Sequence, residues 1–197
     1  MAVLTVVAPV PATDNQLLAR CARGDRSALE ELFVRYRSVA FRVAYRLLGN
    51  EADALDAVQE GFIKALVRLK SFQGRSSFKT WLLRVVTNAS LDLGRQRGRR
   101  EGQSLDALSH GDDADQEPAT HEEPGLGLQR RDLRKALQEA LAQLPEAQRR
   151  TFVLHAEAEL SYREVADVLG ISIGTVMSRL YYTRQKLRAL LETWMKG

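Results

Sequence analysis

The chain of 197 residues is long enough for one large domain or two small ones. Its 29 Lys and Arg outnumber its 25 Asp and Glu, and the net charge of +4 favours an acidic or nucleic-acid partner without indicating a fold. The lone Cys21 excludes an internal disulfide and a CxxC metal site. Residues 2–12 are too short an apolar run for a signal peptide or membrane span, so we expect a cytoplasmic protein without metal, cofactor or membrane insertion.

After a disordered N-terminus, predicted for residues 1–13, apolar residues recur every three or four positions through about four segments up to Arg100. We expect Asp25 to begin the second helix, Gly49 to end it and Asn50 to cap the third. No segment alternates with a period of two, so no strand is predicted. Residues 14–100 are therefore predicted to form an all-α bundle.

The third helix carries polar residues three to four positions apart on one side, namely Asp53, Asp56, Gln59 and Glu60. An apolar side adjoins them, formed by Leu55, Val58, Phe62, Ile63 and Leu66. Two readings stay open here, a solvated acidic face and a docking surface for a basic protein. A hydrolase using Asp53 and Asp56 is a third class, but no neighbouring His, phosphate loop or metal-ligand spacing supports it, so we predict no enzymatic activity.

A flexible loop, an amphipathic helix and a basic cluster follow one another between Phe72 and Arg100. The apolar face of this fourth helix is predicted to contain Trp81, Leu82, Val85, Val86, Ala89 and Leu93. Basic residues share the stretch with Asp92 as the only acid; they are Arg75, Lys79, Arg84, Arg95, Arg97, Arg99 and Arg100. A positive electrostatic field beside aromatic and amide groups is suited to binding single-stranded nucleic acid. The alternative interpretation is a core helix followed by a solvated basic tail.

Composition changes abruptly after Arg100. Residues 101–124 contain no Lys or Arg, are rich in acids, and otherwise consist largely of Gly, Ser, Ala and Pro. This composition predicts a flexible acidic linker over residues 101–128, in which His110 and His121 are solvated rather than metal ligands. A second helical domain is predicted for residues 129–197.

A helix-turn-helix is predicted over residues 161–184. Ser161 and Glu164 have the spacing of a capping box, Gly170 lies in a short turn, and Ser172 can cap a longer final helix. Its inner face is predicted to contain Val176, Leu180 and Leu187. Its outer face is predicted to contain Thr175, Ser178, Arg179, Tyr181, Tyr182 and Arg184. An ordinary helical hairpin can mimic this pattern, but the absence of acid from Ser172 to Arg188 favours DNA binding.

The order of these parts resembles the extracytoplasmic-function (ECF) sigma factors of the bacterial sigma-70 family, from about Asn15 to Leu191. The resemblance in the first half is carried by Gly24, Asp25, Asp56, Gln59, Glu60, Phe62, Phe78, Thr80, Trp81, Leu82, Asn88 and Asp92. In the second half it is carried by Leu144, Pro145, Ser161, Glu164, Ala166, Gly174, Thr175, Val176, Ser178 and Arg179. It implies two small helical domains, sigma region 2 at 14–100 and sigma region 4 at 129–197, joined by the acidic linker.

The resemblance also implies partners and residue roles. Binding to the largest catalytic subunit of core RNA polymerase is assigned to Asp53, Asp56, Gln59, Glu60 and Phe62, and the second-largest catalytic subunit is a further implied partner. Reading of the unpaired −10 strand is assigned to Phe72, Gly74, Arg75, Ser76, Ser77, Lys79, Trp81, Arg84 and Asn88. Reading of the −35 duplex is assigned to Thr175, Met177, Ser178, Arg179, Tyr181, Tyr182 and Arg184. Met177 stands where the family commonly has Lys or Arg, which leaves the promoter sequence open.

An anti-sigma factor is a further implied partner, and no small-molecule substrate is expected. The competing hypothesis is a stand-alone helix-turn-helix regulator whose first half dimerises. Such a protein binds its operator duplex alone, whereas a sigma factor acts only with core polymerase. The loop at Phe72 to Ser77 and its basic tail favour the sigma factor, because a dimerisation domain has no need of them.

Overall fold

The structure, a computed structural model, describes residues 11–103 and 126–196. The first half contains α1 (Asp14–Ala22), α2 (Arg26–Leu48), α3 (Glu51–Val67), a short 3-10 helix (Leu69–Ser71) and α4 (Phe78–Gln103). The second half contains α5 (Leu126–Ala142), α6 (Glu146–Ala156), α7 (Tyr162–Leu169) and α8 (Ile173–Lys196). Neither described range contains a strand, and the predicted all-α class is confirmed. Residues 1–10 and most of the predicted linker, with His110 and His121, lie outside the described residues.

The helix boundaries of the first half follow from local capping. The Asp25 carboxylate accepts hydrogen bonds from the backbone of Ser27 and Ala28 and so begins α2, as predicted. Gly49 ends α2 at φ +84°, a left-handed conformation that costs glycine little. The Asn50 side chain then accepts from the backbone N–H of Asp53 and begins α3, also as predicted. The chain therefore reverses between α2 and α3 at Gly49 and Asn50.

The core face of α3 is made of small residues. Ala54, Ala57, Gly61 and Ala65 are buried, and a Cβ placed on Gly61 would lie only 2.7 Å from Val86 Cγ2 of α4. Of the apolar side predicted for α3, Val58 and Phe62 are buried. The larger aliphatic residues are 40–79% exposed, and they are Leu55, Ile63, Leu66 and Val67. Helices α3 and α4 can approach this closely only if the small-residue face of α3 points inward. The large aliphatic side chains of α3 therefore point outward.

Helix α4 is buried on two sides. The predicted apolar face is inward, with Leu82, Val85, Val86 and Ala89 buried and Trp81 and Leu93 half-buried. Leu83 and Thr80 are also buried, on a second face that packs against the helices of the second half. One hydrophobic cluster joins Val43, Leu47 and Leu83 to the apolar residues of α5 to α8. We call residues 11–103 the first module and residues 126–196 the second module.

Gly61→Ala is expected to lower the free energy of unfolding by about 1–3 kcal/mol, because the new methyl group overpacks the contact with Val86. This loss outweighs the gain of up to about 1 kcal/mol that alanine brings to a helix. Gly98→Ala is the matched control, since nothing lies within 4 Å of a Cβ at Gly98 in α4. Urea unfolding should show a lower midpoint for the first variant alone. Equal midpoints would contradict the close packing.

Candidate polymerase and nucleic-acid interfaces

An exposed acidic ridge follows the outer face of α3. Asp56, Gln59 and Glu60 are all exposed, and Glu60 lies 2.7 Å from Lys64 one turn further along. The exposed aliphatic side chains of Leu55 and Ile63 flank these polar groups. Carboxylates interspersed with aliphatic groups are suited to a basic, amphipathic helix from another protein.

Two of the predicted polymerase-binding residues lie apart from this ridge. Asp53 accepts hydrogen bonds from Asn50 and, at 2.9 Å, from Arg97 of α4. Burial disfavours the charged form of Asp53, but these hydrogen bonds and the Arg97 charge outweigh it and lower the pKa of Asp53. Phe62 is 7% exposed and packs edge-to-face on Phe33, with ring centroids 4.7 Å apart. Asp53 and Phe62 therefore hold α3 against α4 and α2.

An apolar groove that the sequence did not indicate lies beside the ridge. It has a volume of about 410 Å³ and is lined by Leu29, Phe33, Phe62, Leu66 and Phe78 among others. Its side chains follow the helical periodicity expected of a core. One feature of the sequence could have indicated the groove. Helices α2 and α3 together carry more large apolar side chains than one face of each helix can bury, so some of these side chains must remain at the surface.

The loop before α4 rests on a cluster of aromatic rings. Phe72 lies 5.1 Å from Trp81 and 6.0 Å from Phe78 between ring centroids. Gly74 has φ +67°, so the loop turns at a position where other residues are strained. Ser77 begins α4 by accepting a hydrogen bond from the Thr80 backbone N–H at 3.0 Å. The aromatic cluster and the Ser77 cap thus hold both ends of the loop. Within the loop, Arg75 is exposed and Ser76 is half-buried.

The basic residues of α4 divide between two faces. Spacings of three, four and seven place Trp81, Arg84, Asn88 and Arg95 on one side of the helix, and Arg84, Asn88 and Arg95 are exposed. Arg97 faces α3 instead and pairs with Asp53. The structure therefore brings together an aromatic ring, an amide and two guanidinium groups, which is the set expected to bind unpaired bases and their phosphates.

The second module contains the predicted helix-turn-helix. Ser161 and Glu164 form a complete capping box at the start of α7, and hydrogen bonds from Ser161 lower the pKa of Glu164, with smaller contributions from Thr80 and Lys79. Gly170 ends α7 in the left-handed conformation, and Ser172 accepts from the Thr175 backbone N–H at 3.1 Å to begin α8. The predicted inner residues of α8 are all buried, and they are Val176, Leu180 and Leu187.

The outer face of α8 is polar and aromatic. Met177, Ser178, Tyr181, Tyr182 and Arg184 are exposed, and the Tyr181 and Tyr182 rings lie 5.4 Å apart in an edge-to-face arrangement. Thr175 and Arg179 are half-buried at the edge of this face. A helix of this form, following a short helix and a glycine turn, fits the major groove of DNA.

Metal and membrane features are absent from the described ranges. Within 11–103 and 126–196 no group of three or more His, Cys, Asp or Glu side chains is arranged to hold a metal ion. No helix in the same ranges is long and apolar enough to cross a membrane.

These features define a protein with two helical modules, each presenting a face suited to nucleic acid. The family model for Sigma-70 region 2 matches residues 32–100, and that for Sigma-70, region 4 matches residues 134–187. The chain belongs to the sigma-70 family, as an RNA polymerase sigma factor of the extracytoplasmic-function group. The predicted family is thus confirmed, and the stand-alone regulator is not favoured.

Similar proteins agree with this assignment. The ECF RNA polymerase sigma factor SigE of Mycolicibacterium smegmatis is 38% identical over 86% of the chain, which spans 65% of that protein's length. The RNA polymerase sigma-H factor of Pseudomonas aeruginosa is 31% identical over 93% of the chain and 96% of its own length. Among solved structures, the sigma factor RpoE in complex with the anti-sigma factor NepR from Bartonella quintana has a TM-score of 0.64 at 26% identity, covering 83% of this chain and 98% of its own.

Proposed function

We propose that the chain binds core RNA polymerase through the ridge of α3 and directs promoter-specific initiation with its two nucleic-acid faces. The observation that carries this proposal is the combination, on a chain of the sigma-70 family, of an exposed acidic and aliphatic ridge with a basic, aromatic face on α4. Within the ridge, Asp56, Gln59 and Glu60 make the polar contacts. Asp53 and Phe62 act by holding α3 in position.

At the −10 element, the chain captures bases that have left the duplex. The loop from Phe72 to Ser77 receives a flipped base, and Trp81, Arg84 and Asn88 bind the strand along α4. Extruding a base costs a few kcal/mol of unstacking. Stacking on aromatic rings returns about 1–3 kcal/mol per base. Binding energy of this size melts a short stretch of DNA without ATP, so the chain needs no catalytic activity of its own.

At the −35 element, α8 enters the major groove of intact duplex. Ser178 and Tyr181 are exposed in the centre of its outer face, and Arg179 reaches bases or phosphates from the edge. Met177 supplies an apolar contact, for which a thymine methyl group is the complementary partner in the major groove. This face therefore combines polar and apolar recognition.

The partners follow from these roles. They are core RNA polymerase, through its largest and second-largest catalytic subunits, promoter DNA, and an anti-sigma factor. The complex of RpoE with the anti-sigma factor NepR supports the last of these, since that sigma factor is similar to this chain in fold. The place of action is the cytoplasm, where promoter DNA and polymerase are found.

Run-off transcription tests the proposal. The purified chain with core polymerase should give promoter-dependent transcripts from genomic fragments, and each component alone should give none. A stand-alone regulator would instead bind duplex DNA without polymerase and direct no initiation. Failure to associate with core polymerase, or absence of transcripts at every start site, would overturn the proposal.

Asn88→Ala is expected to reduce open-complex formation and to leave polymerase binding unchanged, because the lost amide contacts only the unpaired strand. Gln96→Ala is the matched control, an exposed amide on the same helix outside the predicted −10 set. Permanganate footprinting measures strand opening, and gel filtration with core polymerase measures binding. Loss of polymerase binding in the Asn88 variant would place this residue in a different interface.

Arg179→Ala is expected to weaken −35 binding by about 1–3 kcal/mol if Arg179 reads a base. If it contacts a phosphate, the loss is uniform across sequences and the slope of log K against log salt falls by about 0.9. Arg188→Ala removes the same charge outside the predicted recognition set, where Arg188 pairs with Glu192 at 2.7 Å. Fluorescence anisotropy with a promoter duplex, measured at several salt concentrations, distinguishes the two roles. Equal losses in both variants would contradict a specific role for Arg179.

A further inference from the structure

The apolar groove between α2 and α3 has walls that remain open to solvent. Phe33 and Leu66 in its lining are 40% exposed, and Val34 is 60% exposed. Glu30 is the only polar residue among those that line it. A contiguous exposed apolar surface indicates a binding site. Pockets of about 300–1,000 Å³ hold ligands of drug size, so the volume of about 410 Å³ is sufficient for a few aliphatic side chains.

The part of the chain that the structure describes begins near this groove. The Arg35 guanidinium of α2 donates to the Ala12 carbonyl at 2.7 Å and to the Asp14 carboxylate at 2.6 Å, and so fixes this end of the chain on α2. The Tyr36 hydroxyl also donates to Asp14. The ring centroid of Tyr36 lies 5.6 Å from that of Phe78, and Phe78 lines the groove. Only the Tyr36 ring therefore lies between the anchored residues and the groove lining.

The preceding residues match the groove in chemistry. Residues 1–10 have the sequence MAVLTVVAPV, which contains no charged side chain. Its valines favour an extended conformation, and Pro9 and Pro11 disfavour helix at the residue before each of them. Alternate residues of an extended chain share a side, which places Leu4, Val6 and Val10 together. The sequence thus favours an extended segment with one continuous aliphatic side.

The length of this segment allows it to reach the groove. Nine extended residues span about 30 Å, whereas a helix with its side chains is about 10–12 Å across. Residues 2–10 can therefore pass around α2 and still lie along the groove. The other long stretch outside the described ranges, residues 104–125, is rich in acids, which an apolar groove does not accommodate.

We propose that residues 2–10 bind in the apolar groove of the same chain, with Leu4, Val6 and Val10 packed against Phe33 and Leu66. The segment shields these walls from water. By packing near Phe78 it also supports the aromatic cluster below the Phe72 to Ser77 loop. The proposal goes beyond the proposed function, because this contact requires neither polymerase nor DNA.

Cysteine alkylation tests whether the segment covers the groove. In a Cys21→Ser background, Leu66→Cys reports on the groove, and Leu55→Cys is the matched control. Leu55 is 53% exposed on the same face of α3, about 16 Å from Leu66 along the helix and outside the groove lining. A maleimide should label the Leu66→Cys variant slowly. If the groove is occupied in nine-tenths of the chains, abolishing occupancy raises this rate about tenfold.

Substitutions in the segment supply the comparison. Leu4→Ser, Val6→Ser and Val10→Ser together should accelerate labelling of Leu66→Cys and leave labelling of Leu55→Cys unchanged. Val3→Ser with Val7→Ser removes apolar surface from the opposite side of the extended segment and should leave the groove protected. Equal labelling rates with and without the triple substitution would overturn the proposal, as would equal acceleration by both sets.

Disulfide trapping identifies the occupant. Under mild oxidation of the full chain, Leu4→Cys should form an intramolecular disulfide with Leu66→Cys and none with Leu55→Cys. Disulfide-linked dimers would assign the groove to a second copy and overturn the proposal. Protection of Leu66→Cys that appears only when core polymerase is added would assign the groove to polymerase and overturn it also. Since labelling of the free chain involves no transcription, the run-off assay tests the proposed function separately.

Discussion

The close approach of α3 to α4 at Gly61 and Val86 governs the arrangement of the first module. Because a small-residue face is needed at this contact, the large aliphatic and acidic side chains of α3 point to solvent and form the proposed polymerase surface. The same contact fixes the rotation of α4, so that Trp81, Arg84 and Asn88 lie on a face away from α3. Two proposed functional surfaces therefore depend on one packing interaction.

Features set by neighbouring residues were predictable from the sequence. The caps at Asp25, Asn50 and Ser161 and the left-handed glycine at Gly49 depend on groups within four residues, and the structure has each where the pattern indicated. The helix-turn-helix was predictable for the same reason, since its capping box, its turn and the inner face of α8 are all local. The family followed from the order of such local motifs.

Features set by contacts distant in sequence were not predictable. Arg97 pairs with Asp53. This pairing takes one basic side chain from the predicted nucleic-acid surface of α4 and one acidic side chain from the predicted polymerase surface of α3. Leu83 lies off the periodic stripe of α4, and nothing local indicates that the second module buries it. On α3, hydrophobicity alone favoured Leu55 and Ile63 as part of one apolar side, whereas side-chain volume, through Ala57 and Gly61, decided which face is inward.

The shared hydrophobic cluster means that the folding unit and the sequence domain have different boundaries. Val43, Leu47 and Leu83 belong to the first module along the chain, yet they complete the core of the second. A fragment cut between the two halves exposes part of each of these three side chains to water and forgoes a part of the roughly 1.5–3 kcal/mol that full burial of such a side chain contributes. An isolated first half therefore carries an exposed apolar strip that favours aggregation, whereas the intact polypeptide shields this strip from water.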